Sequence, residues 1–474
     1  MKLHLIEEPK LEFATGHHIC PRYGISNFNV YDTKMIARRD RIFIGSIGTS
    51  DNLGKLAAWI EKCSDYIPAK PNNRQPNLYT DFCGFNQDSG YKSRFVFEEE
   101  ITKSINSSEI KKIVEIPNWN DRVNASVELY YQLVKFLSQN RTVDVIICII
   151  PTKLYDKIAM EDSEPIEDSD RERKSTDNIE TNFRRALKAK TMHLGKPLQL
   201  IKESSLDAQA KGQQDDATKA WNFCTALYYK ANQTVCWKLI TNVNKPSICF
   251  VGVSFYKSRD KKILHTSLAQ IFDELGNGVI LRGTPVDLNK DDRQPHLTDI
   301  QAYDLLKSAL YEYRIAMNNS PGRLVIHKSS NYSEDEMKGF RQAVSESMVN
   351  TVDFVTILQT DIRLFRHGIY PPYRGTHIEL EQNTHLLYTR GSVKYYRTYP
   401  GAYIPQPLEI RIIESDESPS IICQEILGLT KMSWNNTQFD GKYPITIQCA
   451  RKVGEIMKYL GEHEQPQIRY SFYM

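Results

Sequence analysis

Two stretches of this sequence hold residue types that could do chemistry. NFRRALKAKTMHLGKPLQLIK (182–202) is a basic block with few acids, directly after the acidic, polar stretch 160–180. Arg184 and Lys188 are four apart, so a helix puts both on one face. Spacing does not separate Lys188 from Lys190. The chain's total charge does not demand nucleic acid, but this contrast in its distribution is local. The other stretch is SICFVGVSFYK (247–257), an apolar run broken only by Gly252 and Ser254. A strand this apolar lies in the middle of a sheet, with room for one special residue near its end. A carboxylate there would hold a hard divalent cation; the hydroxyl of Ser254 cannot offset that charge.

Other chemistries find no anchor. No CxxC pair or Cys/His cluster has zinc spacing, and no G-x-G-x-x-G follows a strand. The balance of 41% hydrophobic and 25% charged residues is that of a globular protein. At 474 residues, two to four domains are expected. Net charge is only +3, from 61 Lys and Arg against 58 Asp and Glu, so the local contrast matters more than the total. The start, MKLHLIEEPKLEF, lacks the pattern of a signal peptide. VDVIICIIP (143–151) is the length of a buried strand and too short for a membrane span. Nine scattered cysteines, mostly within apolar runs, read as core thiols in a reducing compartment. A cytoplasmic protein that does not engage membranes is expected.

The elements that must position these residues follow from periodicity, which alternates strands and helices in an α/β pattern. Residues 122–140 form an amphipathic helix leading into the strand 143–151. After the acidic loop come the helix NFRRALKAKTMH, the strand PLQLIK and the helix DATKAWNFCTALYYKAN. Trp221, Cys224, Leu227 and Tyr228 share one face of the last. This order suits a Rossmann-like open sheet. From about Lys245 come two strands, the helix DIQAYDLLKSALYEYRIAMNN, the strand RLVIHKSS and a helix opened by a Ser333/Glu336 capping box. The strand VDFVTILQ, a hairpin over 376–398 and two closing helices complete a mixed sheet of the ribonuclease H type.

The segment LTKMSWNNTQFDGKYPITIQCARKVGEIM (429–457) resembles the closing part of Argonaute PIWI domains, with its Leu-Thr-Lys helix end, Trp-Asn-Asn-Thr loop, Pro-initiated turn and final helix. ICFVGVSFYK and RLVIHKSS sit where those domains place two catalytic strands. ALYYKANQTVCWKL is similar to the end of a MID domain, and the first residues to the start of short prokaryotic Argonautes. The resemblance implies a Rossmann-like MID domain with an N-terminal extension over 1–240 and a ribonuclease H-like PIWI domain over 241–474.

Argonaute slicers hold two divalent metals on a carboxylate-rich tetrad. The matching positions here are Ser254, Ser329 and Arg451. Two neutral hydroxyls and a cation do not seat paired metals, so the resemblance implies an inactive PIWI domain. Asp353 and Asp361 are acids nearby, expected to face solvent or cap an element. An active metal-dependent guided nuclease using displaced carboxylates is the alternative.

The resemblance also places Arg184, Lys188, Gln199 and Lys230, with Lys202 and Lys196 in second rank, at the pocket for a guide's 5′ phosphate. Such an anion rewards converging cationic and amide donors. The apolar tail IRYSFYM is implied to tuck between the domains, where the free carboxylate of Met474 helps hold Mg2+ against that phosphate. Lys257, Arg259, Lys261, Lys262, Arg363 and Arg366 are candidate backbone contacts. Short Argonautes of this kind bind guide RNA and target single-stranded DNA. They act with a sirtuin-like–APAZ partner, or alternatively a TIR–APAZ one, whose NAD+ hydrolysis defends the cell by abortive infection.

Overall fold

The computed structural model describes residues 2–71, 75–159, 181–207, 214–240, 246–272, 278–288, 293–367, 371–399, 404–438, 440–461 and 464–474, with the backbone alone at 268–272 and 278. The acidic stretch 160–180 lies outside the described residues.

In the first half, strands Arg94–Val96, Arg41–Gly48, Val145–Ile150 and Leu198–Lys202 lie side by side, all parallel. Parallel sheets are covered on both faces, which is why VIICII is buried at every position. Helix Trp119–Asn140 packs its buried stripe on one face; Asn118 caps it by accepting from the Asp121 N–H. Helix Asp216–Asn232 covers the other face. Trp221, Cys224, Leu227 and Tyr228 are fully buried, but the burial runs nearly all round this helix rather than along one stripe. Its second neighbour is the Trp-Asn-Asn-Thr loop, whose Trp434 stacks on Tyr229 at 5.0 Å between ring centroids. Trp434 in turn donates to the Trp237 carbonyl at 3.0 Å.

The second half is built on a nine-stranded mixed sheet. Ile248–Lys257 lies inside it, parallel to Arg323–Lys328, which is parallel to Thr351–Gln359. The expected elements are present, and three strands join them that periodicity did not bring out. Leu264–Phe272 pairs antiparallel with Ile248–Lys257, and Leu408–Glu414 with Thr351–Gln359. Both interleave polar residues among apolar ones, so neither stands out as a continuous apolar run. Strand Lys2–Leu5 pairs with Thr376–Glu379, so the start of the chain is stitched to the second-half sheet. Glu8 reinforces that seam between buried Arg374 and Lys431, at 3.1 and 3.0 Å.

The closing helix Ile445–Met457 crosses this sheet. Gly252 makes the crossing possible: a Cβ there would lie 2.3 Å from the Thr446 carbonyl oxygen. Among the described residues, no helix is long and apolar enough to cross a membrane. All nine cysteines are free thiols and eight are buried.

Candidate anion pocket and serine-lined cleft

The pocket assembles where the two halves meet. Helix Phe183–Thr191 starts at Asn182, whose side chain accepts from the Arg185 N–H. It packs against both Trp119–Asn140 and the closing helix. Its four-residue spacing places exposed Arg184 and buried Lys188 together, as the sequence predicts. Lys230, in the last turn of helix Asp216–Asn232, reaches across to the neighbouring strand and donates to Gln199 Oε1 at 2.5 Å.

The electrostatics are unusual for a protein interior. Lys188 is 3% exposed and Lys230 1%. Burial pushes the Lys188 ammonium well below its ordinary range, and the charges adding to that shift are all cations: Arg184, Lys230 and Lys452. Burial, then Arg184 and Lys452, brings Lys230 down to about 7. Burying like charges together is costly. An anion placed among these side chains would offset that cost.

Lys190 is excluded from the pocket. It is exposed, paired with Glu128 and set over the Tyr131 ring. Lys196 donates to the Val143 carbonyl at 2.6 Å. Lys202 does not join the group either. Strand alternation sends Gln199 and Lys202 to opposite faces, and the Lys202 ammonium sits 4.1 Å from the Tyr155 ring centroid. The sequence reading missed Lys452. It belongs to the closing helix, 222 positions after Lys230 (452 − 230), and its proximity is a tertiary fact without a local signal.

The tail behaves as its composition suggests. Residues 470–474 are buried, Met474 packs in the core, and Ile468 accepts from the Ile280 N–H at 2.8 Å. For the Mg2+ expected here, the side chains supply little. Of Arg184, Lys188, Gln199, Lys230 and Lys452, Gln199 alone carries an oxygen, and that oxygen already accepts from Lys230. A hard cation needs anionic oxygens. These five side chains do not make a metal site by themselves.

The cleft lies at the carboxyl ends of the parallel strands. Ser254 is buried, and its hydroxyl is 3.4 Å from that of Ser329, which follows the neighbouring strand. Ser267 closes the floor by donating to the Ala450 carbonyl at 2.8 Å. Arg451, the next residue, sets its guanidinium 4.2 Å from the Tyr443 ring centroid, and Tyr443 accepts from Gln359 at the end of its strand. Asp353 was expected to face solvent or cap an element and does neither. It is fully buried in a salt bridge to Arg323 (2.6 Å), which also grips Glu425. Register pairs Asp353 with Val325, three residues before Lys328, so it sits toward the opposite end of the sheet from Ser254. Asp361 is exposed. Among the described residues, no group of three or more His, Cys, Asp and Glu side chains is arranged to hold a metal.

Comparison with known proteins places this architecture. No family model matches the chain, and no curated protein does. Solved Argonaute structures match over nearly its whole length. Clostridium butyricum Argonaute, bound to a guide DNA and a 19-mer target DNA, superposes with a TM-score of 0.68 at 16% identity, covering 99% of this chain and 54% of its own. Drosophila Piwi gives 0.63 at 14% identity, covering 99% and 56%. Marinitoga piezophila Argonaute, in complex with a 5′ OH guide RNA, gives 0.58 at 12% identity, covering 100% and 59%. The fold is therefore the mixed α/β fold of Argonaute MID and PIWI domains. The chain spans little more than half the length of each of these proteins.

Proposed function

We propose that this protein binds a guide RNA by its 5′ phosphate and uses it to recognise invading plasmid or phage single-stranded DNA without cutting it. The observation that carries this reading is the cluster of Lys188, Lys230, Gln199, Arg184 and Lys452. There burial and neighbouring cations disfavour the charge on both lysines, a cost that a bound anion would relieve. A terminal phosphate carries nearly two charges and accepts several hydrogen bonds, matching four cations and an amide. Base pairing would read the sequence, while the protein grips the backbone.

The serine-lined cleft supports a role in holding strands rather than severing them. Ser254, Ser329 and Arg451 offer neither the charge nor the oxygen donors that two divalent cations need. Output would then come from a partner subunit. The proposed one is a sirtuin-like–APAZ protein, with a TIR–APAZ protein as alternative, depleting NAD+ once target is bound. Mg2+ would enter the pocket only with the phosphate, whose oxygens would join the terminal carboxylate of Met474.

The deciding experiment compares RNAs identical except for a 5′ phosphate or a 5′ hydroxyl. The reading requires a marked preference for the phosphate that Lys188→Ala with Lys230→Ala abolishes. Equal losses for both RNAs would mean that the pocket is misassigned.

A further inference from the structure

The carboxyl edge of the second-half sheet carries a feature outside the pocket and cleft. Strand Thr351–Gln359 ends there, alongside Ser254 and Ser329, and the chain continues as DIRLFRH, residues 361–367. Phe365 projects from this segment and is 74% exposed. Its backbone is anchored one residue earlier, where the Leu364 N–H donates to the Tyr388 hydroxyl at 2.8 Å. Arg363 and His367 are exposed beside it. Arg366 lies 3.9 Å from the Tyr373 ring centroid, and Lys394 approaches the same ring at 5.6 Å.

A single exposed apolar side chain is ordinary on a protein surface, so what distinguishes Phe365 is its setting. Half-buried Leu364 and exposed Ile362 precede it, and Arg363, Arg366 and His367 set basic side chains on both sides of it in the chain. That mixture suits a nucleic-acid strand: cations meet the phosphates, and a ring meets the flat face of an unstacked base. We propose that Phe365 stacks on an unpaired base of the bound strand, with Arg363 and Arg366 holding the adjoining phosphates. The inference rests on the guide-binding reading above. It adds a base contact at the edge of the sheet, separate from the phosphate pocket.

The test uses the full chain and a 5′-phosphorylated RNA of about 20 nucleotides, with 2-aminopurine placed in turn along the RNA and along a complementary DNA strand. Stacking predicts quenching confined to one neighbourhood in one strand. Phe365→Ala should abolish that quenching and weaken binding of that strand roughly 5- to 150-fold, the range for losing one base–aromatic stack. Phe365→Trp should restore both, whereas Phe365→Leu, apolar but without a π face, should restore neither. Quenching and affinity indifferent to position 365 would overturn the inference, including the case in which Phe365 only docks another protein. Failure of the wild-type chain to bind RNA at all would instead sink the functional reading.

Discussion

Lys230 and Gln199 meet across an element boundary: the ammonium at the end of a helix donates to an amide oxygen on the adjacent strand, 2.5 Å away. That contact aims the Gln199 amide oxygen at the ammonium, while its NH2 group donates to the Leu200 carbonyl at 3.4 Å. It also fixes a lysine that burial has brought down to about 7. One bond thus holds in place the ammonium that an anion would meet.

The first consequence is selectivity. Hydrogen bonds to charged groups are worth about 1.5–3 kcal/mol each, so Lys188→Ala or Lys230→Ala should weaken binding of 5′-phosphorylated RNA roughly 10- to 150-fold. Binding of 5′-hydroxyl RNA should change much less. Filter binding with the two RNAs checks this, and Lys202→Ala, which faces the other side of its strand, serves as the control.

The free protein bears the cost of this arrangement. Lys188→Met and Lys230→Met each remove a buried cation surrounded by like charge, and both should raise the melting temperature of the unliganded chain. Thermal unfolding without RNA reads the gain. A melting temperature lowered by both substitutions would argue that the lysines are compensated and structural.

The same lysine sets a pH dependence. Its folded value of about 7 lies below the ordinary 10.5, so between those values the unfolded chain binds more protons than the folded one. Stability contributed at this site therefore rises with pH through that window, and the penalty is fully present below 7. Phosphate binding should raise the value and take up protons near pH 8. Calorimetry in buffers of different ionisation enthalpy measures the uptake, which Lys230→Met should reduce.

The cleft yields an outcome visible on a gel. Guide-loaded protein incubated with a labelled complementary strand and Mg2+ or Mn2+ should leave that strand intact. Specific cleavage opposite the middle of the guide would establish the guided nuclease instead.

Gly252 permits a test of the scaffold. Gly252→Ala drives a methyl against the Thr446 carbonyl oxygen, a backbone atom that cannot swing aside. The closing helix must lift, and overpacking of this kind costs typically about 1–3 kcal/mol. Urea denaturation should show the loss. Because the closing helix also carries Lys452, affinity for 5′-phosphorylated RNA should fall with it.

Sequence by itself determined much of the local structure. Periodicity located the helices Phe183–Thr191 and Asp216–Asn232 and the apolar strand ending near Ser254, because burial imposes a pattern on neighbours in the chain. Spacing put Arg184 and Lys188 on one face, and the Ser333/Glu336 cap was legible for the same reason. Tertiary structure decided the rest. It chose Lys188 over Lys190 by burying one and pairing the other with Glu128. It brought in Lys452 from the far end of the chain and turned Lys202 away. It gave Glu336 a second task, a 2.8 Å salt bridge with buried Lys328, and committed Asp353 to Arg323. A residue's helical face or strand parity follows from chain geometry a few residues long. Which charges share a buried space depends on how distant elements pack, and no local spacing encodes that.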